Sequence, residues 1–316
     1  MRTLFLGTPQ FAVSTLERLL EAGHEVPLVV TQPDRPKGRG NAIAMSPVKE
    51  AALRHGLEVF QPERIRRPEG VERLKAVAPE IMVIVGYGQI IPQSILEIAP
   101  RGILNVHASL LPKYRGAAPI QWAIANGETT TGVTIMKIDA GLDTGDMLRK
   151  AETAIGENET AVELSPRLAE MGADLLVETI ASMDAITPEK QDDAVATLAP
   201  ILRKEDGRID WTRSAREIHN RIRGLQPWPG AYTVFRGQAL HIWGSRLTGR
   251  KSGDAPGTLS FENRVLYAAA GDGLCLELRE VQAEGRKRLA GDIFANGARV
   301  GRQEAGAHDI LGESKH

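Results

Sequence analysis

Residues 79–88, "PEIMVIVGYG", and residues 101–107, "RGILNVH", decide the fold of this chain of 316 residues. Each is a short apolar run rich in β-branched residues and bordered by glycine or proline, a pattern typical of a buried strand. Segments with apolar residues at helical spacing lie between such runs. Strand and helix therefore alternate along the first half of the chain, which predicts an α/β fold with a parallel sheet between helices.

The same alternation extends outward from these two runs. Further strands are predicted at "RTLFLG" (2–7), "HEVPLVVTQ" (24–32), "TTGVTIMKID" (130–139) and "GDMLRKAETAI" (145–155). Helices are predicted at "PQFAVSTLERLLEAG" (9–23), "SPVKEAALRHG" (46–56) and "PEGVERLKAVA" (68–78), with a long amphipathic helix over 158–183. Proline near the first turn is typical of a helix start. We expect the first domain to end soon after the long helix.

The last third of the chain has a different pattern. Residues 189–207 lack strong periodicity and carry proline and paired aspartates, as a linker does. After one short helix at 216–225 come brief β-rich segments separated by glycine-containing turns. This pattern predicts a small β-barrel of the kind that includes oligonucleotide-binding (OB) folds. We therefore expect a first domain over 1–188, a linker over 189–207 and a β-barrel domain over 208–316.

Composition excludes several classes of protein. Hydrophobic residues make up 42% and charged residues 25% of the chain, which is typical of a soluble globular protein. The single cysteine, Cys275, excludes an internal disulfide, and no Cys/His cluster has zinc-ligand spacing. The N-terminus enters a strand at once, without the features of a signal peptide, and no apolar run approaches the ~20 residues of a membrane span. These features predict a cytoplasmic protein with no metal site and no membrane association.

Charge is distributed unevenly along the chain. Residues 208–316 contain 17 Lys+Arg and 12 Asp+Glu, so their net charge is +5. The remaining 22 and 28 belong to residues 1–207, which gives −6, and the two parts sum to the −1 of the whole chain. A basic C-terminal third indicates a polyanionic partner, although a merely solvated surface has the same counts.

Candidate catalytic residues lie where the strand at 101–107 ends. Asn105 and His107 are two residues apart, so their side chains point to the same face of the strand. Ligands of open α/β sheets bind beyond the carboxyl ends of the strands. In "IDAGLDTGDML" (138–148), two glycines permit an irregular loop that holds Asp143 at the same edge.

An amide, an imidazole and a carboxylate suit group transfer through an oxyanion. The amide and the imidazole donate hydrogen bonds to the developing negative charge, and the carboxylate orients the imidazole. Two plainer interpretations stay open at this point: His107 as a structural residue and Asp143 as a turn former. Spacing alone does not bring Asp143 to His107.

Longer motifs add a family resemblance. "NVHASLLPKYRGAAPIQWAI" (105–124) and "GVTIMKIDAGLDTGDML" (132–148) resemble the signature pair of the 10-formyltetrahydrofolate-dependent formyltransferases. Further matches follow that family's order: "FLGTPQFAVSTLERL" (5–19), "TQPDRPKGRG" (31–40), "VGYGQIIP" (85–92), "LRKEDGRIDW" (202–211) and "IRGLQPWPGAYT" (222–233). The resemblance reaches at least residue 294. It implies a Rossmann-like N-terminal domain that carries the site and a C-terminal OB-like β-barrel that helps to hold tRNA.

The resemblance also implies roles for individual residues. Asn105, His107 and Asp143 match the catalytic triad of the family. The implied contacts to the co-substrate, 10-formyltetrahydrofolate, are Tyr87, Gly88, Ile91, Ser109, Leu110, Leu111 and Pro112, and no metal is implied. The implied reaction moves a formyl group from N10 of the folate to the α-amino group of methionine on initiator tRNA. A monomeric protein is expected.

An insert at residues 35–49, "RPKGRGNAIAMSPVK", follows the second strand. Its composition fits a mobile solvated loop equally well as a binding element. The resemblance favours a loop that grips the tRNA acceptor end through Arg35, Lys37 and Arg39, because basic side chains contact phosphates. The sequence departs from the family pattern at residues 41–43, where relatives often carry basic residues.

Two other functions are compatible with parts of the sequence. One is the same chemistry on a small amine, such as an amino-sugar nucleotide or a purine precursor. The other is an RNA-binding protein whose site is vestigial. The basic insert and the basic C-terminal domain favour the tRNA substrate over a small amine. The intact Asn105, His107 and Asp143 favour an enzyme.

Overall fold

The structure, a computed structural model, describes residues 1–37, 42–301 and 309–312. These residues divide into two compact units. The first consists of Met1–Pro119, Thr131–Thr153 and Ser165–Pro200. The second consists of Ile120–Thr130, Ala154–Leu164 and the chain from Ile201 onward. Residues 189–200, in the segment predicted as a linker, thus belong to the first unit by their contacts.

Helices and strands follow in chain order. The strands are β1 (Thr3–Gly7), β2 (Val29–Val30), β3 (Arg35–Lys37), β4 (Ala42–Ala44), β5 (Val59–Phe60), β6 (Ile81–Val85), β7 (Ile103–His107), β8 (Arg115–Gly116), β9 (Thr130–Lys137), β10 (Met147–Ala154), β11 (Leu198–Ala199), β12 (Ala231–Phe235), β13 (Gln238–Lys251), β14 (Leu259–Glu262), β15 (Val265–Ala269), β16 (Leu274–Ala283) and β17 (Leu289–Ala290). The α-helices are α1 (Phe11–Glu21), α2 (Pro47–Arg54), α3 (Pro68–Val77), α4 (Gln93–Leu96), α5 (Pro119–Ala125), α6 (Ala161–Ala181), α7 (Ala215–Gly224) and α8 (Gly291–Ala298).

A seven-stranded sheet forms the centre of the first unit. Its strand order is β10-β9-β7-β6-β1-β2-β5. The pairs from β7 to β5 are parallel, and β9 runs antiparallel to β7. The structure therefore confirms the mostly parallel sheet expected from the alternating pattern. After β1 the chain adds β2 and β5 on one side of this strand, and it then adds β6 and β7 on the other side. Such a switch in the order of the strands typically opens a crevice beyond their carboxyl ends.

The strands of this sheet are buried because helices cover them. Every residue of β1, β6 and β7 is buried. α2 begins as its sequence predicts: Ser46 caps it by accepting a hydrogen bond of 3.0 Å from the Lys49 N–H, and Pro47 occupies the first turn. α6 approaches the sheet closely at Gly172, where a Cβ would stand 2.5 Å from Val106 Cγ1.

An antiparallel sheet forms the second unit, in the order β12-β13-β16-β15-β14 with β17 beside β16. Residues 309–312 lie between its two edge strands. The Leu259 N–H donates to the Asp309 carbonyl at 2.8 Å, and the Gly312 N–H donates to the Val234 carbonyl at 2.8 Å. The segment thus bridges β14 and β12 and covers part of both edges of the sheet. This arrangement agrees with the β-barrel expected from the sequence.

α7 packs on the barrel and begins with the capping box that its sequence predicts. Ser214 accepts from the Glu217 N–H, and the Glu217 carboxylate accepts from the Ser214 N–H. Ile218 and Ile222 on this helix join the barrel core, which also contains Trp211. The Trp211 indole donates to Thr233 Oγ1 at 3.0 Å, which satisfies its buried N–H.

Several elements lack a clear sequence pattern. The insert forms a hairpin of β3 and β4, with Arg35 opposite Ala44. Short elements such as α4, α5 and β11 also escape prediction, because two to seven residues are too few to show a period. Across the parts of the chain that the structure covers, no helix is both long and apolar enough to cross a membrane.

Candidate active site

The carboxyl ends of β6 and β7 lie side by side and position the candidate site. Ile84 on β6 stands opposite Asn105 on β7 in a parallel register. Neighbouring strands of a sheet are about 4.8 Å apart. The loops that follow these strands, residues 86–92 and 108–114, therefore leave the sheet at the same edge.

His107 ends β7 and is 5% exposed. Its Nε2 lies 2.9 Å from the Tyr114 carbonyl oxygen. Because a carbonyl only accepts, we assign the proton of this bond to Nε2. The other ring nitrogen, Nδ1, lies 3.6 Å from Asp143 Oδ2. The structure thus brings together the imidazole and the carboxylate, which sequence spacing alone did not do.

Asp143 is held in an unusual backbone conformation. Its φ of 52° lies in the left-handed region, which non-glycine residues rarely adopt. Its Oδ2 accepts a hydrogen bond of 2.9 Å from the Gly116 N–H. At Gly145, nearby in the same loop, a Cβ would stand 1.9 Å from the Lys137 carbonyl oxygen, so only glycine permits this close approach. These contacts fix the carboxylate toward His107.

Asn105 projects from the same face of β7 as His107. The residue is 8% exposed. Within the described chain, no hydrogen-bond partner is found for its carboxamide. Because its amide nitrogen and oxygen are not fully buried, water can satisfy them until a ligand takes its place. The Asn105 amide is therefore available to donate to a substrate oxygen.

Tyr87 lies in the loop after β6, but its side chain is directed into the core. The ring is 2% exposed and packs among Leu4, Ile95 and other apolar residues. Burial raises the pKa of the Tyr87 hydroxyl, which has no hydrogen-bond partner among the described residues. Its carbonyl accepts from Thr8 Oγ1 at 3.0 Å and from Gln32 Nε2 at 3.1 Å. Any contact of Tyr87 with a ligand therefore comes from its main chain.

Glycines make part of the backbone of this loop accessible. Gly86 and Gly88 have φ values of 57° and 86°, which glycine adopts readily, and both are exposed. Main-chain groups of Gly88 and Ile91 have no hydrogen-bond partner within the described part of the chain. Such groups suit a flat heterocycle with donors and acceptors along its edge.

The loop after β7 is held by its own hydrogen bonds. The Ser109 hydroxyl donates to the Lys113 carbonyl at 2.6 Å. Thr134 Oγ1 donates to the Ser109 carbonyl at 2.7 Å and accepts from the Leu111 N–H at 3.1 Å. Leu111 is buried, whereas Leu110 and Pro112 are partly exposed. Leu110 and Pro112 are thus the members of this predicted group that can offer side-chain surface to a ligand.

The predicted tRNA-binding residues lie on the hairpin of β3 and β4. Arg35 is exposed, and Lys37 ends β3. Arg39 lies outside the described residues. Lys49, also in the insert, forms an ion pair with Asp34. The hydrogen bond from Lys49 lowers the pKa of that carboxyl, so the charge of Lys49 is already engaged.

Sequence reasoning missed two groups of residues. Gln191 and Arg115 support the loop that carries Asp143, but a glutamine in an aperiodic segment gives no sequence signal. The other group is the turn Arg286–Arg288 between β16 and β17, in which all three side chains are exposed. Three consecutive basic residues are recognisable in the sequence as a positively charged cluster.

Metal ligation has no support in the side-chain arrangement. Among the residues that the structure describes, no group of three or more His, Cys, Asp or Glu side chains is placed to hold a metal ion. Cys275, in β16, is buried, and burial raises the pKa of its thiol. It is thus a core residue.

Family models match both parts of the chain. The model described as "Formyl transferase" matches residues 1–180, and "Formyl transferase, C-terminal domain" matches residues 201–299. The chain belongs to the formyltransferase family.

The chain is similar over nearly its full length to curated members of this family. The chain is 64% identical to a methionyl-tRNA formyltransferase of Solibacter usitatus over 306 residues, which cover 96% of this chain and 98% of the relative. It is 56% identical to a methionyl-tRNA formyltransferase of Koribacter versatilis over 302 residues, covering 95% and 96% of the two chains.

Solved structures share the fold at low sequence identity. An N-formyltransferase from Helicobacter canadensis, in complex with folinic acid and dTDP-3-aminofucose, has a TM-score of 0.68 and 21% identity, and the match covers 90% of this chain and 99% of that one. HypX from Aquifex aeolicus in complex with tetrahydrofolic acid has a TM-score of 0.64 and 16% identity, with 98% and 50% covered. The fold expected from the sequence is confirmed, and folate derivatives are bound by proteins of this fold.

Proposed function

We propose that the protein transfers the formyl group of 10-formyltetrahydrofolate to the α-amino group of methionine on initiator tRNA. Identities of 46–64% over nearly the full length of curated methionyl-tRNA formyltransferases support this activity. The observation that carries the proposed chemistry is the arrangement of His107 between the Tyr114 carbonyl and the Asp143 carboxylate. Charged tRNA is used by ribosomes, so the cytoplasm is the compartment that we propose.

We infer that the co-substrate binds at the carboxyl ends of β6 and β7. The unpartnered main-chain groups of Gly88 and Ile91 offer donors and acceptors to a pterin ring, and Leu110 and Pro112 offer apolar surface. When bound, 10-formyltetrahydrofolate supplies a formyl group on N10. Small-molecule sites in proteins usually combine apolar walls with a few placed polar groups, and these residues supply both.

Asn105 stabilises the negative charge that develops on the formyl oxygen. Its carboxamide has no partner in the described residues, so it donates to the substrate without first breaking a hydrogen bond within the protein. Such preorganised donors typically contribute about 10²–10³ in rate. This is the size of effect that we expect for Asn105→Ala.

His107 takes the proton that the attacking amine loses. Because Nε2 donates to the Tyr114 carbonyl, Nδ1 is the nitrogen that accepts this proton. Asp143, 3.6 Å from Nδ1, stabilises the resulting imidazolium. The same proton then moves from Nδ1 to the departing N10, so the amine loses one proton and the folate gains one. Neither a covalent enzyme intermediate nor a metal takes part in this scheme.

The tRNA contacts that we propose are Arg35, Lys37 and Arg39 on the insert and Arg286 and Lys287 in the β16–β17 turn. Arg35, Arg286 and Lys287 are exposed, as phosphate contacts require. We leave Arg288 out of this set, because its guanidinium packs over the Trp243 ring at 3.7 Å. The boundaries at 188 and 208 remain our proposal for the domain limits, and we propose a monomer.

Salt dependence tests the tRNA contacts. Each phosphate neutralised by a basic side chain releases counterions, so log affinity falls with log salt by about 0.7–0.9 per contact. Arg286→Ala with Lys287→Ala is expected to raise the KM for charged tRNA and to flatten its salt dependence by about two contacts. The KM for the folate is expected to stay the same.

A matched control removes two charges elsewhere. Arg54 and Lys75 lie in the last turns of α2 and α3, at the opposite edge of the sheet from the site, and both are exposed. Arg54→Ala with Lys75→Ala is expected to leave the salt slope unchanged. Equal slopes for the wild type and the Arg286/Lys287 variant would exclude this turn from the tRNA interface.

A further inference from the structure

Gln191 connects the loop of Asp143 to a distant part of the sequence. Its Nε2 donates to the Asp143 carbonyl at 2.7 Å and to the Gly145 carbonyl at 2.8 Å. Its Oε1 accepts from Arg115 Nε at 2.9 Å. One side chain therefore holds two carbonyls of the loop and is itself held by a cation.

Arg115 decides which way the Gln191 carboxamide faces. A guanidinium only donates, so the amide oxygen must face Arg115 and the amide nitrogen must face the loop. Arg115 is 7% exposed, and its Nη2 lies 2.7 Å from Asp193 Oδ1. It also follows Tyr114, whose carbonyl accepts from His107. The amide is thus locked in the orientation that supplies two donors to the loop.

These donors bind the part of the loop whose backbone conformation is least favourable. Asp143 has a φ of 52°, a conformation that persists only where the surrounding structure enforces it. The two carbonyls that Gln191 binds lie on and just after this residue. Held in this way, the loop directs Asp143 Oδ2 toward His107 Nδ1 and the Gly116 N–H.

We propose that Gln191 is a positioning residue for formyl transfer, which acts by holding the Asp143 loop in its reactive conformation. The inference rests on the proposed role of Asp143 beside His107. Gln191 touches neither substrate in this account, and it acts through Asp143. Its loss therefore lowers the rate of the chemical step and leaves the binding of both substrates intact.

Gln191→Glu distinguishes the hydrogen bonds that hold the Asp143 loop from the contact between residue 191 and Arg115. The substitution keeps the shape of the side chain and its acceptor for Arg115, and it adds an opposite charge beside that cation. It removes both donors and places a carboxylate oxygen against two carbonyl oxygens. The contact between Arg115 and residue 191 therefore remains, whereas the two hydrogen bonds to the loop carbonyls are lost.

The experiment measures kcat, both KM values and thermal stability of the full-length protein. For Gln191→Glu we expect kcat to fall about 10²-fold, the effect typical of a misplacement of about 1 Å, with both KM values changed by less than about twofold. Gln238→Glu, an exposed glutamine at the start of β13, introduces the same charge and is expected to keep the wild-type kcat.

A double-mutant cycle with Asp143→Asn then tests the route of the effect. If Gln191 acts through Asp143, Gln191→Glu lowers kcat by less than about threefold in the Asp143→Asn background, because residues that act as a unit are non-additive. An undiminished 10²-fold loss in that background overturns the inference, as does an effect confined to KM or explained by unfolding. If Asp143→Asn alone keeps full activity, the proposed role of Asp143 fails instead.

Discussion

Replacing Asp143 with asparagine removes one charge and keeps the shape of the side chain. An asparagine oxygen can still accept from the Gly116 N–H, which lies 2.9 Å from Oδ2. The hydrogen bonds from Gln191 to the loop carbonyls do not involve the side chain of residue 143. The substitution therefore isolates the charge that faces His107, with little change in loop geometry.

The separation of the two groups sets the size of the effect. Two unit charges 3.6 Å apart interact by about 4.6 kcal/mol at an effective dielectric constant of about 20. The Asp143 side chain is 18% exposed, so solvent reduces this to about 3–4 kcal/mol. Because about 1.4 kcal/mol corresponds to a factor of ten, kcat is expected to fall about 10²–10³-fold for Asp143→Asn.

The assay measures kcat at saturating formyl-folate and charged tRNA. Asp139→Asn is the matched control, since Asp139 lies on the same loop, is exposed and binds Thr144 and the Gly141 N–H. It is expected to retain wild-type kcat within about threefold, because asparagine oxygen keeps these bonds. A kcat of Asp143→Asn within threefold of wild type would refute electrostatic stabilisation of His107 by this carboxylate.

Three further changes have defined outcomes. Gly145→Ala places a Cβ 1.9 Å from the Lys137 carbonyl, which displaces the loop, so kcat is expected to fall about 10²-fold in the formylation assay. Burial lowers the pKa of His219 in the folded protein, so the imidazole binds a proton more readily in the unfolded chain. Thermal stability is therefore expected to fall as the pH drops below about 6.5, and to fall less in His219→Gln. Arg236→Leu removes a two-pronged ion pair to Asp309, at 2.7 and 2.9 Å, and is expected to cost about 2 kcal/mol in denaturant unfolding.

Each of these predictions has a control in the same chain. Gly297→Ala adds a Cβ where nothing lies within 4 Å, so kcat should not change. His55→Gln alters an exposed imidazole and should leave the pH dependence of stability in place. Arg264→Leu breaks an ion pair to Asp292 at an 84% exposed side chain, and a cost equal to that of Arg236→Leu would contradict the importance of the buried Asp309.

Local sequence patterns predicted the strands of the first sheet except β5. The runs at β1, β6 and β7 are apolar because both faces of a parallel sheet are covered, and they are recognisable for that reason. α2 and α3 each begin with a proline that the sequence displays. β2 and β5 are only two residues long in the structure, so their register depends on neighbours rather than on their own pattern.

The candidate site was predictable only in part, because its contacts join distant segments. Asn105 and His107 share a face by the geometry of a strand, which the sequence contains. The approach of Asp143 to His107 depends on the conformation of a loop, and that conformation depends in turn on Gln191. Neither contact follows from a local sequence pattern, and only the family resemblance implied the meeting of Asp143 and His107. Tyr87 is a further case, because its ring packs in the core, whereas the family resemblance implied a contact with the co-substrate.

The most direct test of the proposed activity is formyl transfer by the purified protein. It is incubated with 10-formyltetrahydrofolate and methionine-charged initiator tRNA, and in parallel with an amino-sugar nucleotide as the small acceptor. Our account predicts formyl-methionine on the tRNA, with kcat/KM at least about 10³-fold above that for the small amine, a difference of roughly 4 kcal/mol in transition-state stabilisation. Formylation of the amino sugar with none on the tRNA would contradict it.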